Sequence, residues 1–109
     1  MLLKVGRHLR PRTNFKLIVG REEGENRFME GYRKRFVHLV PVSHTGPLVL
    51  IDGELQEGDL ELAARLAARF SQGRDATRVS LQATGLDGKT RELDVVPMPA
   101  SEIPADWYI

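Results

Sequence analysis

Apolar residues recur at helical spacing in the middle of the chain. One stripe, with spacings of three and four residues, consists of Leu62, Ala63, Leu66, Ala67 and Phe70. That spacing predicts a helix over residues 59–72, which Asp59 caps and Gly73 ends in the left-handed conformation. The alanines in this stripe favour close packing of the helix on a sheet.

A second, shorter helix is predicted over residues 27–33. Phe28, Met29 and Tyr32 lie at helical spacing there. Asn26 precedes them and is a residue type that commonly caps a helix, because its short side chain accepts a backbone hydrogen bond.

The remaining periodic segments alternate as strands do. The predicted strands are residues 2–5, 15–19, 36–42, 48–51, 77–84 and 89–96, whereas residues 7–14 are predicted to be a strand end and a loop. Pro41 has no backbone N–H and is therefore expected at a strand end, a bulge or an edge. Residues 48–51 are apolar throughout, which predicts a central strand, and the last two strands form a hairpin.

Together these elements predict an α+β fold: a mostly antiparallel sheet with one long packed helix, one short helix and a C-terminal β-hairpin. A chain of 109 residues fits one domain, so we assign residues 1–109 to a single domain. The tail from residue 97 is rich in proline and ends in Trp107, Tyr108 and Ile109, which we expect to dock on the domain.

The absence of cysteine excludes a disulfide framework, a Cys-ligated metal site and a thiol nucleophile within this chain. Hydrophobic residues make up 41% and charged residues 28%, which is the balance of a soluble globular protein. The apolar runs are too short to span a bilayer, and the first residues lack the apolar region of a signal peptide. We therefore expect a cytoplasmic protein without a membrane partner.

Positive charge is concentrated in the first part of the chain. Residues 1–44 hold ten Lys and Arg against four Glu, and residues 45–109 hold six Lys and Arg against eleven Asp and Glu. Twelve of the sixteen basic residues are arginines, whose planar fork suits phosphate. We therefore expect the N-terminal arginines to gather on one continuous face that binds a polyanion. The alternative is that the charges intermix in the folded chain and leave no basic face.

No arrangement of residues in the sequence predicts catalysis. Ser43 and His44 are adjacent, so in a strand they point to opposite faces and do not form a nucleophile–base pair. The histidines are not at metal-ligand spacing, and no glycine-rich phosphate loop occurs. We therefore predict a protein that is not an enzyme and that uses neither a metal nor a cofactor. An enzyme with a dispersed site stays open, in which His38 and His44 converge with a carboxylate.

One short segment, Tyr32-Arg33-Lys34-Arg35, combines an aromatic ring with three cations. Fixed positive charge and a ring for stacking are what a nucleic-acid backbone site requires. Further cations in the same part of the chain are Arg7, Arg10, Arg12 and Arg21. The structural alternative is a helix end, where cations stabilise the helix dipole without binding anything.

Several segments together resemble the NFACT-R domain family. In chain order they are Val19-Gly20-Arg21 with Asn26, Phe36-Val37-His38, Gly46 with residues 48–51, and the alanine-rich residues 62–71. They are similar to that family's strand-to-helix opening, its aromatic–x–His strand, its glycine turn with a buried strand, and its helix. The resemblance runs from Lys16 to Val96. It departs from the family where Pro47-Leu48 follows the glycine in place of Ser-His, and where the spacing from His38 to Gly46 is longer.

The NFACT-R resemblance implies an RNA-binding module. A variant of the family occurs in thiouridylase-like proteins that thiolate tRNA, and residues 3–8 with Trp107-Tyr108 resemble that variant. The resemblance thus implies tRNA as the partner and a catalytic domain in the same or a partner protein. Residues 1–109 are then its C-terminal part or a free-standing relative. The residues that we expect to bind RNA are Arg7, Arg10, Arg12, Arg21, Tyr32, Arg33, Lys34, Arg35, His38 and His44.

A second function stays open from the sequence, namely a protein-interaction or dimerisation domain. Its carriers are the apolar tail residues Trp107, Tyr108 and Ile109 and the edges of the sheet, which can contact another chain. In that function no nucleic acid takes part.

Overall fold

One six-stranded antiparallel sheet dominates the fold in the computed structural model, which describes residues 5–109. The strands are β1 (Arg7–Arg12), β2 (Phe15–Val19), β3 (Val37–Pro41), β4 (Val49–Gly53), β5 (Val79–Thr84) and β6 (Thr90–Val95). Their order across the sheet is β1-β2-β4-β3-β5-β6, and every neighbouring pair is antiparallel. With the helices α1 (Glu23–Glu30) and α2 (Asp59–Arg69), this confirms the predicted α+β class. No helix within residues 5–109 is long and apolar enough to cross a membrane.

Helix α2 packs on one face of the sheet, which we name the α2 face. Leu66 and the buried alanines of α2 belong to the same core as the strand residues Leu17, Ile51 and Leu81. Because alanine has a small side chain, the helix backbone lies close to the strands. The larger of the two hydrophobic cores therefore forms between α2 and the sheet.

The first residues of α2 differ from the prediction. Gly58, at φ +84°, is the N-cap, and Asp59 is the first helical residue. The Asp59 carboxylate instead accepts hydrogen bonds from the Gln56 backbone N–H, at 2.8 Å, and from Asn14 Nδ2, at 2.9 Å. The predicted capping role of Asp59 is therefore wrong: this buried carboxylate ties the helix start to neighbouring loops.

The end of α2 also differs, because the helix has 11 residues and stops at Arg69 rather than at residue 72. Gly73 is not among the glycines with positive φ, so its predicted left-handed cap is wrong. A Cβ at Gly73 would lie 2.7 Å from atoms of both His44 and Val79. The glycine is needed for close packing of the loop, and not for an unusual backbone angle.

Strand β4 is buried on both faces, which explains its apolar sequence. Val49 and Ile51 belong to the α2-face core, whereas Leu50 packs with Ile18 and with Met29 of α1 on the opposite face, the α1 face. A strand covered on both sides buries consecutive residues instead of alternate ones. The predicted central position is confirmed, since β4 lies between β2 and β3.

Strand β1 occupies residues that the sequence pattern assigns to a strand end and a loop. Its register with β2 places Arg7 opposite Val19 and Arg12 opposite Phe15. The segment is dense in charge, and Leu9 is its one fully buried apolar residue, so local alternation does not mark it as a strand. Of the strand predicted at residues 2–5, residues 2–4 lie outside the described residues, and Val5 is not part of a strand.

Helix α1 begins at Glu23 instead of residue 27 and ends at Glu30. Asn26 therefore lies inside the helix and does not cap it. Its Oδ1 accepts a hydrogen bond from the Leu48 N–H, at 3.1 Å, which ties α1 to the chain just before β4. Residues 33–35, predicted to be the end of this helix and the cations after it, form a separate 3₁₀ turn.

The C-terminal tail docks on the domain, as its apolar end predicts. The Met98 N–H donates a hydrogen bond to the Arg65 carbonyl, and Trp107 packs against the α2-face core. Tyr108 forms an antiparallel bridge with Leu9. The tail thus lies against the edge of β1 that does not pair with β2.

Candidate nucleic-acid interface

A groove on the α1 face of the sheet collects several of the predicted binding residues. It lies between the 3₁₀ turn at residues 33–35 and the turn that joins β5 to β6, and its volume is about 470 Å³. We name it the β3–β5 groove; it is lined by Arg33, Lys34, His38, Val40, Gln82, Thr84 and residues 85–88. Strand pairing creates this arrangement, because the register places His38 opposite Thr84 and Val40 opposite Gln82.

His38 lies in the groove with 7% of its surface exposed. Its Nδ1 is 3.1 Å from the carbonyl oxygen of Phe36, which only accepts hydrogen bonds, so Nδ1 carries the proton. In the neutral ring Nε2 is then an acceptor, and it has no hydrogen-bond partner within residues 5–109. The ring therefore offers one acceptor to a ligand donor such as a ribose hydroxyl or a base amino group.

Cations line one side of the groove. Arg33 Nη1 lies 2.9 Å from Glu30 Oε1, with 45% and 48% of the two side chains exposed. An ion pair this exposed contributes at most about 1 kcal/mol, so a phosphate can replace Glu30 as the partner of Arg33. Lys34 has no ion-pair partner in the described part of the chain. Both cations are therefore available to an anionic ligand.

Tyr32 and Arg35 lie beside the groove and contact each other. The Arg35 Cζ lies 5.6 Å from the centroid of the Tyr32 ring, within the range of a cation–π contact. The Tyr32 ring also lies 5.3 Å from that of Phe28, centroid to centroid. Tyr32 therefore helps to position Arg35, and its stacking on a base stays a prediction.

Two of the predicted arginines in β1 make contacts within the domain. The Nε of Arg12 lies 2.9 Å from an oxygen of the buried Asp59 carboxylate, at the first residue of α2. Arg10 is exposed, and its Nη1 donates a hydrogen bond to the Thr13 carbonyl. The charge of Arg12 is therefore compensated by a carboxylate.

Arg7 and Arg21 lie near the opposite end of α2, where both line a small cavity beside Phe70. Arg7 and Arg12 thus contact the two ends of α2, on the α2 side of the sheet, whereas residues 33–35 follow α1 on the other side. The expectation of one continuous arginine face is therefore wrong. Charge density along the sequence does not reveal which side of a sheet each arginine occupies.

Glu25, near the start of α1, binds the chain at two places: just before β1, at Gly6, and just after β2, at Arg21. Its carboxylate accepts hydrogen bonds from Arg21 Nε and Nη2, at 3.1 and 2.8 Å, and from the backbone N–H groups of Arg21 and Gly6. The Arg21 side chain first, and then the Gly6 and Arg21 N–H groups, lower the pKa of the Glu25 carboxyl from 4.5 to about 2. The hydrogen bond to Glu25 first, and then the negative charge of Glu25, raise the pKa of Arg21.

The Glu25 contacts predict a specific loss of stability in acid. The carboxyl has a lower pKa in the folded chain than in the unfolded chain, so its stabilising effect is complete above about pH 4.5 and is lost as the pH falls towards 2. In thermal melts at about pH 2.5, 4 and 6, we expect a smaller fall in melting temperature for Glu25→Gln than for the unchanged protein. The matched control is Glu23→Gln, because the Glu23 side chain is 87% exposed and its one ion pair within residues 5–109 is with Arg27. An identical acid dependence in Glu25→Gln and the unchanged protein would contradict this prediction.

Comparison with protein families decides the classification. The model of the family described as NFACT protein RNA binding domain matches residues 6–108. The chain belongs to this family. The resemblance inferred from the sequence is therefore confirmed at the level of the NFACT-R domain, and the family description names RNA binding rather than catalysis. Among curated proteins none matches the sequence.

A solved structure shares the fold of this NFACT-R domain. It is the C-terminal part of the fibronectin/fibrinogen-binding protein from Streptococcus suis, with a TM-score of 0.78 and 20% sequence identity. The alignment covers 97% of this chain and 49% of that one, so the domain spans about half the length of the solved chain. At this identity the likeness shows the fold alone.

In the NFACT-R domain described here, His44 does not line the β3–β5 groove; it lies in the turn between β3 and β4. Its Nδ1 is 2.7 Å from Ser43 Oγ, which also accepts the Ser80 N–H. The expectation that Ser43 and His44 point apart is wrong, because they lie in a bend and not in a strand. Residues 5–109 contain no group of three His, Cys, Asp or Glu side chains that could hold a metal ion. RNA contact by His44 stays a prediction.

Sequence reasoning missed the residues that β5 and the following turn bring to the groove. Gln82 and Thr84 have no side-chain hydrogen-bond partner within residues 5–109, and they lie beside His38 only because β3 pairs with β5. The alternation in β5 identifies its polar side, but a sequence pattern does not show which strand is its neighbour. Pairing between strands about 40 residues apart in the chain is the missing information.

Proposed function

We propose that this NFACT-R domain binds RNA through the β3–β5 groove and that its RNA is tRNA. The observation that carries the proposal is one cavity that unites two cations, Arg33 and Lys34, with the hydrogen-bonding side chains of His38, Gln82 and Thr84. Family membership over residues 6–108 supports RNA as the partner.

The groove suits a single-stranded segment of a folded RNA. Arg33 and Lys34 supply positive charge for phosphates, and Gln82 and Thr84 offer donors and acceptors to bases and ribose. Leu86, 69% exposed, adds an apolar surface against which an unstacked base can pack. Proteins read RNA sequence mostly in loops and ends, because an A-form helix hides its base edges in a deep, narrow groove. A tRNA presents such loops and a single-stranded end.

We extend this proposal to tRNA thiolation, in which the domain acts within or beside a tRNA-modifying enzyme in the cytoplasm. The similarity of residues 3–8 and of Trp107-Tyr108 to the thiouridylase-like variant of the family supports this extension. In such a protein the NFACT-R domain holds the tRNA, while a separate catalytic domain transfers the sulfur.

The salt dependence of tRNA binding tests the proposal. Each phosphate contact contributes a slope of about −0.7 to −0.9 to a plot of log affinity against log salt concentration. If Arg33, Lys34 and Arg35 each contact one phosphate, we expect a slope steeper than about −2. Binding can be followed by fluorescence anisotropy of labelled tRNA, and an affinity that does not change with salt would exclude phosphate contacts as its source.

A matched pair of variants distinguishes RNA binding by the groove cations from a general effect of positive charge. Arg33→Gln with Lys34→Gln removes two charges from the groove, and Arg27→Gln with Arg91→Gln removes two exposed charges outside it. We expect only the groove variant to lose salt slope, by about 1.4 or more. Equal effects of the two variants would refute the groove. Equal competition by tRNA and by an unstructured RNA of the same length would refute tRNA as the preferred RNA.

A further inference from the structure

A second cavity lies on the α2 side of the sheet, beyond the last turn of α2. Its volume is about 300 Å³, and its lining includes Arg7, Arg69, Phe70, Arg74, Ile103 and Tyr108. We name it the Arg7 pocket. Three distant parts of the chain build it: the start of β1, the end of α2 with the following loop, and the C-terminal tail. The smaller cavity of about 140 Å³ at Arg21 shares Arg7 and Phe70 with it.

Two aromatic rings hold the guanidinium of Arg7 in this pocket. The Arg7 Cζ lies 5.4 Å from the centroid of the Phe70 ring and 6.0 Å from that of the Tyr108 ring. A guanidinium carries five N–H donors, and a cation–π contact needs none of them to be bonded to an oxygen acceptor. Arg7 has no ion-pair partner within residues 5–109. The two rings therefore favour a position of the Arg7 guanidinium at the pocket, and its N–H donors have no hydrogen-bond partner within residues 5–109.

Arginines are the charged side chains that line the Arg7 pocket. Arg69 and Arg74 line it together with Arg7, and no acidic side chain is part of the lining. Within the described residues, the ion pairs involve arginines other than these three. Three like charges around one concave site raise its positive potential, so an anion that enters is attracted.

The β3–β5 groove differs from the Arg7 pocket in this respect. Asp87 is part of the groove lining, and Arg33 in the groove is paired with Glu30. The groove therefore combines cations with carboxylates and with uncharged hydrogen-bonding groups, as a site that reads a base requires. The Arg7 pocket offers guanidinium groups and two rings whose faces already contact Arg7.

We propose that the Arg7 pocket is a separate phosphate-binding site, which takes a phosphate group of a nucleotide or of RNA without reading the base. Guanidinium groups bind phosphate through paired N–H donors, and three of them surround this cavity. Phe70 and Tyr108 position Arg7 rather than stack on a base, which is why the site has no base preference.

The site does not depend on RNA binding in the groove, because the two cavities lie on opposite sides of the sheet. The domain measures about 30 Å in each direction, so an RNA that reaches both has to pass around an edge of the sheet. When it does, the second contact is intramolecular, and the affinity rises without any new contact in the groove. A short oligonucleotide does not gain this advantage.

Titration with small phosphates, followed by NMR of the arginine Nε–H groups, tests the pocket directly. We expect inorganic phosphate and adenosine 5′-monophosphate to shift the signals of Arg7, Arg69 and Arg74, whereas adenosine has no effect. An effect of adenosine equal to that of its monophosphate would overturn a site that recognises phosphate alone. Shifts spread evenly over exposed arginines such as Arg27 would also overturn it.

A double variant tests the same site by affinity. Arg69→Gln with Arg74→Gln removes two guanidinium groups and leaves Arg7 between its rings, and we expect phosphate affinity to fall by tenfold or more. The control is Arg27→Gln with Arg91→Gln, which removes the same charge from outside both cavities. Thermal melts establish that both variants fold. An unchanged phosphate affinity in the Arg69/Arg74 variant overturns the proposal.

RNA with a 5′-phosphate, compared with the same RNA bearing a 5′-hydroxyl, identifies the source of the phosphate. A preference for the 5′-phosphate that disappears in the Arg69/Arg74 variant assigns the pocket to an RNA end. Equal binding of the two RNAs that weakens in this variant assigns the pocket to the internal backbone, and equal binding that the variant leaves unchanged assigns it to a free nucleotide. The experiments distinguish an error in the proposed RNA binding by the groove from an error in the proposed phosphate binding by the pocket. If the protein binds no RNA but the Arg69/Arg74 variant still loses phosphate affinity, the pocket stands and the groove does not.

Discussion

Replacement of Arg33, Lys34 and Arg35 by glutamate, all in one variant, is expected to reduce tRNA affinity by roughly 10²- to 10³-fold at physiological salt. A charge-assisted hydrogen bond contributes about 1.5 kcal/mol or more, and each 1.4 kcal/mol corresponds to a tenfold change in affinity. The glutamates also repel the phosphates that the cations attract. Fluorescence anisotropy measures the affinity, and circular dichroism with a thermal melt establishes that the variant is folded.

The control for this reversal changes the same charge at other positions. Arg27, Arg78 and Arg91 are exposed and do not line the β3–β5 groove. Their joint replacement by glutamate tests whether net charge alone accounts for binding. If this control loses as much affinity as the groove variant, or if the groove variant still binds tRNA, the groove is not the RNA site.

The largest loss of stability is expected from Phe15→Ala. Phe15 is fully buried in the α2-face core, where its strand pairs with β4 opposite Gly53. Truncation of a buried phenylalanine to alanine costs about 3–5 kcal/mol, because apolar contacts are lost and a cavity is left. For a domain of this size, each kcal/mol lowers the melting temperature by about 4–8 °C, so we expect a fall of at least about 12 °C.

Phe28→Ala is the matched control for Phe15→Ala. The side chain of Phe28 is 41% exposed on α1 and contacts Tyr32 instead of the α2-face core. The same change of residue type is therefore expected to cost less than about 1 kcal/mol, the common range for surface positions. Similar melting temperatures for the two variants would show that burial does not account for the effect at Phe15.

The parts of the fold that the sequence predicts well are those with local physical signals. The three- and four-residue spacing in α2 follows from its one buried face, and the apolar run in β4 follows from burial on both faces. Strand β1 lacks such a signal, because Leu9 is its one fully buried apolar residue and its backbone bridges to Tyr108 at the far end of the chain. The sequence pattern places the start of α1 too late for a related reason: Asn26 fits a helix cap locally, but its side chain accepts a hydrogen bond from the Leu48 N–H.

The candidate site follows the same rule. Arg33, Lys34 and His38 are close in the sequence, so inspection of one short segment identifies them together. Their partners Gln82 and Thr84 join them through the register of β3 with β5, which no local pattern contains. The Arg7 pocket is even harder to predict from the sequence, because its residues come from the start, the middle and the end of the described chain.

The docked tail also shields one margin of the sheet. Tyr108 bridges Leu9, and the Ile109 N–H donates a hydrogen bond to the His8 carbonyl, so backbone groups on the outer side of β1 have partners within the chain. Deletion of residues 104–109 is the direct way to test whether the tail mediates dimerisation. That truncation, however, uncovers a strand whose free backbone groups can pair with another copy. Self-association of the shortened protein would then be a product of the truncation itself, and point substitutions at Trp107 test the dimerisation hypothesis more cleanly.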